Sequence, residues 1–255
     1  MLIRGLIFDI NGTLTDINTD EGNKDLWRTL SNLLLYQGIS LEADELKALY
    51  FGIMKQKREA EGERHPEFDA VTIFQEIIYQ HSTAFTQRLP AEKQRQLPLF
   101  MAETFRAASL FRLKRYRGVR DTIKQLHQQY RLAIVSDGQA AYAVPELNAV
   151  GLLEYFSPVI VSGDVGYRKP DRRLFEKALA ALEMKPEEVL FIGNDMYRDV
   201  FGAQQFGIKT IFFKSNQGQQ EYAGTEPNYV IYNFPELLNA VQFLKAQSTS
   251  PSSPA

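Results

Sequence analysis

The 255-residue chain contains no cysteine, one tryptophan and three histidines. Without cysteine there is neither a disulfide framework nor a thiolate zinc site, so the fold must stand on packing alone, as suits a reducing cytosol. His65, His81 and His127 are scattered and lack metal-ligand spacing. Long apolar runs are missing too. The opening MLIRGLIFDI is too short for the hydrophobic region of a signal peptide, and no later run approaches a membrane span, so a soluble, cytoplasmic protein with no membrane partner is expected. Excess charge of one sign is also lacking. With 29 basic against 31 acidic residues and a net charge of -2, no positive field recruits nucleic acid, and a small anionic substrate suits the chain better. What is present is ordinary globular composition, 44% hydrophobic and 24% charged, enough for one large core or a core plus a smaller module.

The chain changes rhythm twice. A short apolar strand over Leu2 to Phe8 ends in the turn chemistry of Asn11-Gly12-Thr13. From about Asp20 to Leu113 the spacing is helical, with Leu26, Leu30, Leu33 and Leu34, then Leu46, Leu49, Tyr50 and Ile53, and no convincing strand interrupts it. The charged run from Lys55 to Arg64 reads as a solvated helix face. After Arg117-Gly118, apolar strands at Leu132–Ser136, Val159–Ser162, Val189–Gly193 and Ile208–Phe213 alternate with helical stretches, which implies a parallel sheet covered on both faces. The expected fold class is α/β: a doubly wound, Rossmann-like parallel sheet formed by residues 1–16 and 115–246, interrupted by an inserted helical cap domain at 17–114. The Ser/Pro-rich stretch 247–255 is expected to be a disordered tail.

In open parallel sheets ligands bind outside the carboxyl ends of the strands. The apolar runs are followed by Asp9 and Asn11, by Ser136-Asp137-Gly138, by Lys169-Pro170, and by Asn194-Asp195 with Asp199 beyond. A strand-end carboxylate can attack phosphorus and form an aspartyl-phosphate when a divalent cation offsets the repulsion between two anions, and Asp9 is the candidate nucleophile. Magnesium takes oxygen ligands and keeps several waters, so Asp9, the Asn11 carbonyl and the Asn194-Asp195 pair would hold it. Ser136 would donate to a phosphate oxygen, and Lys169 would balance the developing charge. Asp137 reads as turn chemistry.

The segments FDINGTLTD, VSDG, GYRKPD and IGNDMYRDVFGA, in this order, resemble the four motifs of the haloacid dehalogenase superfamily, and the insertion is similar to its helical C1-type cap. The resemblance implies a hydrolase, most simply a magnesium-dependent phosphatase of a small phosphorylated metabolite, with Asp9 as nucleophile, Ser136 and Lys169 holding the transferring group and the acidic fourth motif binding Mg2+. It leaves open whether the protein is a monomer or a homodimer. Two departures stand out: the acid/base aspartate two residues after the nucleophile is Asn11, and the first acid of the fourth motif is Asn194. An amide cannot pass protons near neutral pH, a function worth about 10²- to 10⁴-fold in rate, so reduced activity is implied. The alternatives are a non-catalytic phosphate-ligand-binding protein and a carbon-halogen hydrolase.

Overall fold

The computed structural model describes residues 2–60 and 62–249. Its centre is a six-stranded, all-parallel sheet made of β1 (Gly5–Phe8), β4 (Arg131–Ser136), β5 (Val159–Val161), β6 (Val189–Gly193), β7 (Lys209–Phe213) and β8 (Tyr229–Ile231), in the order β5-β4-β1-β6-β7-β8. The chain winds outward on one side of β1 and then on the other, so the strand order reverses at β1. The carboxyl ends around that reversal are where an open α/β sheet binds its ligand.

Alternation along each strand builds two cores. Leu6 and Phe8 join Leu132, Ile134, Leu190 and Ile192 on one face, beneath α6 (Val119–His127), α7 (Ala140–Ala149) and α10 (Leu237–Thr249). Ile7, Ala133, Val135, Val189 and Phe191 occupy the other face, beneath α8 (Arg172–Leu182), Ala203 and Ile208. This period of two explains why the strands read as unbroken apolar runs: both faces are covered.

A separate cluster of buried residues, all between Leu26 and Phe105, fills the space among α1 (Lys24–Tyr36), α2 (Ala43–Ala60), α3 (Ala70–His81) and α5 (Ala91–Ser109), with the short α4 (Ala84–Gln87) between α3 and α5 in the chain. Trp27, Tyr50, Phe74 and Phe105 form its aromatic centre, with Tyr50 and Phe105 stacked at 4.8 Å between ring centroids. Asn23 and Asp69 accept main-chain N–H groups at the starts of α1 and α3, which is why those helices begin where they do.

The absence of strands expected between Asp20 and Leu113 needs correction at its edges. An antiparallel ribbon of β2 (Thr15–Thr19) and β3 (Leu110–Arg115) carries the chain into and out of the helices. Its polar residues, Asp16, Asn18, Arg112 and Lys114, hide the strand pattern, while Leu110 and Leu113 continue the helical spacing of α5. The strand expected at Leu2 begins at Gly5, and β8, only three residues long, was not expected. Of the tail expected at 247–255, Gln247 through Thr249 extends α10, and residues 250–255 lie outside the described residues.

Candidate active site

Asp9 follows β1 directly, with its main-chain N–H donating to the Ile192 carbonyl on β6. Its side chain is nearly buried, and one oxygen takes all the local donors: Ser136 Oγ donates to Asp9 Oδ1 at 2.8 Å and Lys169 Nζ donates to the same atom at 2.7 Å. Asp9 Oδ2 accepts no hydrogen bond among the described residues. One oxygen is thus anchored and its twin is unengaged.

Lys169 is fully buried and also donates to Asp199 Oδ1 at 2.6 Å. Burial would lower its pKa, but Asp199 and Asp9 outweigh that and raise it well above the ordinary lysine value. It is a fixed cation at any working pH. Asp199 Oδ2 accepts the main-chain N–H groups of Asn194 and Asp195, both at 3.0 Å. Burial raises the Asp199 carboxyl, against the opposing Lys169 charge. The close packing of Asp199 is set by Gly193, where a Cβ would come within 2.4 Å of the Asp199 carboxylate.

Asn11 lines the cleft above this cluster, and its Oδ1 accepts from Thr15 Oγ1 at 3.2 Å. The structure brings Asp9, Asn11, Ser136 and Lys169 together as the sequence suggests. The other two candidates, Asn194 and Asp195, have side chains engaged by protein partners. Asn194 is 1% exposed, its Oδ1 accepts from Thr13 Oγ1 at 2.9 Å, and its amide is pressed between Gly12 and Gly218, which have room for no Cβ there. Both oxygens of Asp195 are engaged. Oδ1 caps the helical turn Met196–Phe201 by accepting from the Tyr197 and Arg198 N–H groups. Oδ2 accepts from the Arg198 guanidinium at 2.8 Å and from the Gln219 N–H at 3.0 Å.

Among the described residues no three histidine or acidic side chains converge as a metal cage. Two hard oxygen donors nevertheless remain at the site, Asp9 Oδ2 and the Asn11 main-chain carbonyl, neither of which accepts a hydrogen bond among the described residues. Magnesium is commonly held by one or two carboxylates with substrate phosphate and water completing its shell, so this reduced donor set fits it.

Two residues that sequence reasoning passed over or left unassigned complete the site. Asp137 follows Ser136, accepts the Lys169 N–H at Oδ1 (2.9 Å), and leaves Oδ2 shielded from solvent with no hydrogen-bond donor among the described residues. Burial raises its carboxyl above the ordinary aspartate value. Arg198, whose Nη1 lies 3.6 Å from Asp137 Oδ2, brings a second cation to the cleft. Nothing in a Ser-Asp-Gly turn marks such an acid in advance; its signal is the missing hydrogen-bond partner.

The cleft holds about 240 Å³ and lies between the strand ends and the helical module. Ser136, Asp137 and Arg198 form its floor, and Arg58, Phe68 and Arg106 face it from the module. The segment His65–Ala70 seals one side. Its Glu67 and Ala70 N–H groups donate to the Gly166 carbonyl and to Gln139 Oε1, while Gln139 Nε2 donates to the Phe68 carbonyl.

A family model for haloacid dehalogenase-like hydrolases matches residues 3–207. The chain belongs to this family. Within it, the chain is 27% identical over 228 residues to a glyceraldehyde 3-phosphate phosphatase of Methanothermobacter thermautotrophicus, covering 89% of this chain and 92% of that protein. It is 32% identical over 137 residues to the enzyme of the same name from Pyrococcus furiosus, where the match spans 51% of this chain and about half, 55%, of the relative's length. The fold is similar to that of a 2-haloacid dehalogenase from Pseudomonas syringae pv. tomato DC3000, with a TM-score of 0.66 at 18% identity over 95% of this chain and 99% of that one. The family's α/β fold therefore applies here. No helix among the described residues is long and apolar enough to cross a membrane.

Proposed function

We propose that this chain hydrolyses a small phosphorylated metabolite through an aspartyl-phosphate on Asp9. The observation that carries the reading is the asymmetry of the Asp9 carboxylate: Ser136 and Lys169 hold Oδ1, and Oδ2 is unengaged. Asp9 Oδ2 attacks phosphorus, Ser136 and Lys169 orient the carboxylate and the transferring group, and water then releases phosphate from Asp9. Asp9 Oδ2 and the Asn11 carbonyl would hold magnesium. When bound, magnesium would offset the repulsion between Asp9 and the phosphate. The division into a core of residues 1–16 and 115–246 and a cap of 17–114 belongs to the same reading, with Arg58, Phe68 and Arg106 of the cap facing the substrate. So do a cytoplasmic setting, a monomeric or homodimeric state, and the absence of nucleic-acid partners.

The names of the full-length relatives support a small phosphate ester as substrate. The test is a panel of phosphorylated metabolites and one aryl phosphate, with magnesium and with EDTA. Turnover that requires Asp9 and falls on chelation supports the reading; turnover unchanged in Asp9→Asn removes it.

A second reading is a protein that binds a phosphorylated ligand without turnover. The engaged Asn194 and Asp195 side chains favour it. Tight orthophosphate binding with no hydrolysis on the whole panel would select it.

A further inference from the structure

The proposed hydrolysis requires an acid that Asn11 cannot be. The leaving oxygen must gain a proton, and the water that cleaves the aspartyl-phosphate must lose one. We propose that Asp137, on the neighbouring strand end, is the general acid and base of this site. The inference rests on the phosphate-ester reading of Asp9 and identifies the proton carrier within it.

Four observations point to Asp137. It lines the same cleft as Asn11 and Ser136, on the strand adjoining β1. Its Oδ1 is fixed by the Lys169 N–H at 2.9 Å, which holds the carboxyl in place. Its Oδ2 is buried and accepts no hydrogen bond among the described residues, with Arg198 Nη1 at 3.6 Å, so this oxygen is not committed to a donor. Burial raises the group above the ordinary aspartate value, the direction that favours a proton-carrying carboxyl.

The charged groups facing Asp137 set how far that goes. Lys169 and Arg198 favour its ionised form, and the Asp9 carboxylate opposes it. Arg198 is itself engaged by Asp195, and Lys169 by Asp9 and Asp199, which blunts both cations. Arg58, Arg106 and Arg168, with Glu21, Glu67 and Glu146, complete the charged lining of the cleft.

The proton balance closes. As Asp9 Oδ2 bonds to phosphorus, the bond from phosphorus to the leaving oxygen breaks. Its electron pair stays on that oxygen, which takes the Asp137 proton. The Asp137 carboxylate then takes a proton from water as the water oxygen bonds to phosphorus. The bond to Asp9 Oδ2 breaks, Asp9 recovers its electron pair, and hydrogen phosphate leaves with Asp137 protonated again.

The test compares wild type, Asp9→Asn, Asp137→Asn, Asn11→Asp and the double variant Asn11→Asp/Asp137→Asn on an alkyl and an aryl phosphate. Asp137→Asn keeps an oxygen for the Lys169 N–H and removes only the acid. Its kcat on the alkyl phosphate should fall about 10²-fold or more. On the aryl phosphate it should release one equivalent of phenol in a burst and then stall as phosphoenzyme. The double variant should regain turnover to within about tenfold of wild type, because an acid stands in the cleft again. The alkaline decline of the wild-type kcat should vanish in Asp137→Asn.

Equal kcat in wild type and Asp137→Asn overturns the proposal while leaving Asp9 in its role. So does an equal loss on both substrates with no burst and no rescue, which would make Asp137 a positioning residue for Lys169. Activity persisting in Asp9→Asn, or no turnover by wild type on any phosphate, removes the underlying reading instead. Should Asp137→Asn fail to fold, wild-type leaving-group dependence decides: a shallow dependence supports a proton donor, and a steep one overturns it.

Discussion

Lys169 Nζ lies 2.7 Å from Asp9 Oδ1 and so binds the oxygen opposite the one free to react. The same ammonium lies 2.6 Å from Asp199 Oδ1, making one buried cation the partner of two buried carboxylates. Lys169→Met should therefore abolish turnover and destabilise the fold by about 3–5 kcal/mol, the usual penalty for stranding a buried charge. Adding Asp199→Asn should recover part of the stability and none of the activity. Denaturant unfolding with parallel assays checks this, and recovery of activity would contradict it.

Gly12 stands at φ +85°, and a Cβ there would meet Asn194 Nδ2 at 2.2 Å. Gly12→Ala combines a left-handed backbone, costing about 1–2 kcal/mol for a residue with a side chain, with a clash that pushes the Asn194 amide away. A lowered melting temperature together with at least a tenfold lower kcat is the expected outcome. A variant matching wild type in both would show that the turn tolerates the shift.

Burial alone would raise the Asp195 carboxyl, but the Arg198 guanidinium and the N–H groups of Arg198 and Gln219 hold it below the ordinary aspartate value. A carboxyl depressed in the folded state contributes stability that is fully present above its unfolded value of about 3.9 and is lost as pH falls through the folded value. The melting temperature should thus drop on acidification below about pH 4. Arg198→Met should make that drop shallower. Equal acid slopes in the two proteins would place the depression elsewhere.

The site was legible in the sequence where chemistry follows an apolar run. Asp9 after Phe8, Ser136 after Val135 and Asn194 after Gly193 each end a buried strand, and the turn carrying Lys169 follows β5 within a few residues. Whether an oxygen is free was not legible. Asp195 reads as a metal ligand, and the sequence does not show that Arg198, one helical turn on, and Gln219, from a loop 24 residues away, engage its oxygens. Asp137 is the converse: a common turn residue that becomes notable only because its buried Oδ2 accepts no hydrogen bond among the described residues. The β2–β3 ribbon escaped notice because its pairing joins residues 91 to 100 positions apart and charged residues interrupt both strands, so neither carries its own signal.

Gln139 ties the helical module to the sheet by accepting the Ala70 N–H and donating to the Phe68 carbonyl. Gln139→Ala should raise KM several-fold and speed amide exchange at residues 67–71, leaving kcat on an aryl phosphate within about threefold, since each lost hydrogen bond is worth roughly 1 kcal/mol. Unchanged exchange at those amides would mean that the segment is held by other contacts.

Phosphorylation of Asp9 is directly measurable. The protein is mixed with an aryl phosphate, quenched in acid during turnover, and mapped by mass spectrometry of its peptides. A phosphoryl group should be found on the peptide containing Asp9, should accumulate in Asp137→Asn, and should be absent from Asp9→Asn. Sustained hydrolysis with no modification at Asp9 in either wild type or Asp137→Asn would contradict the account.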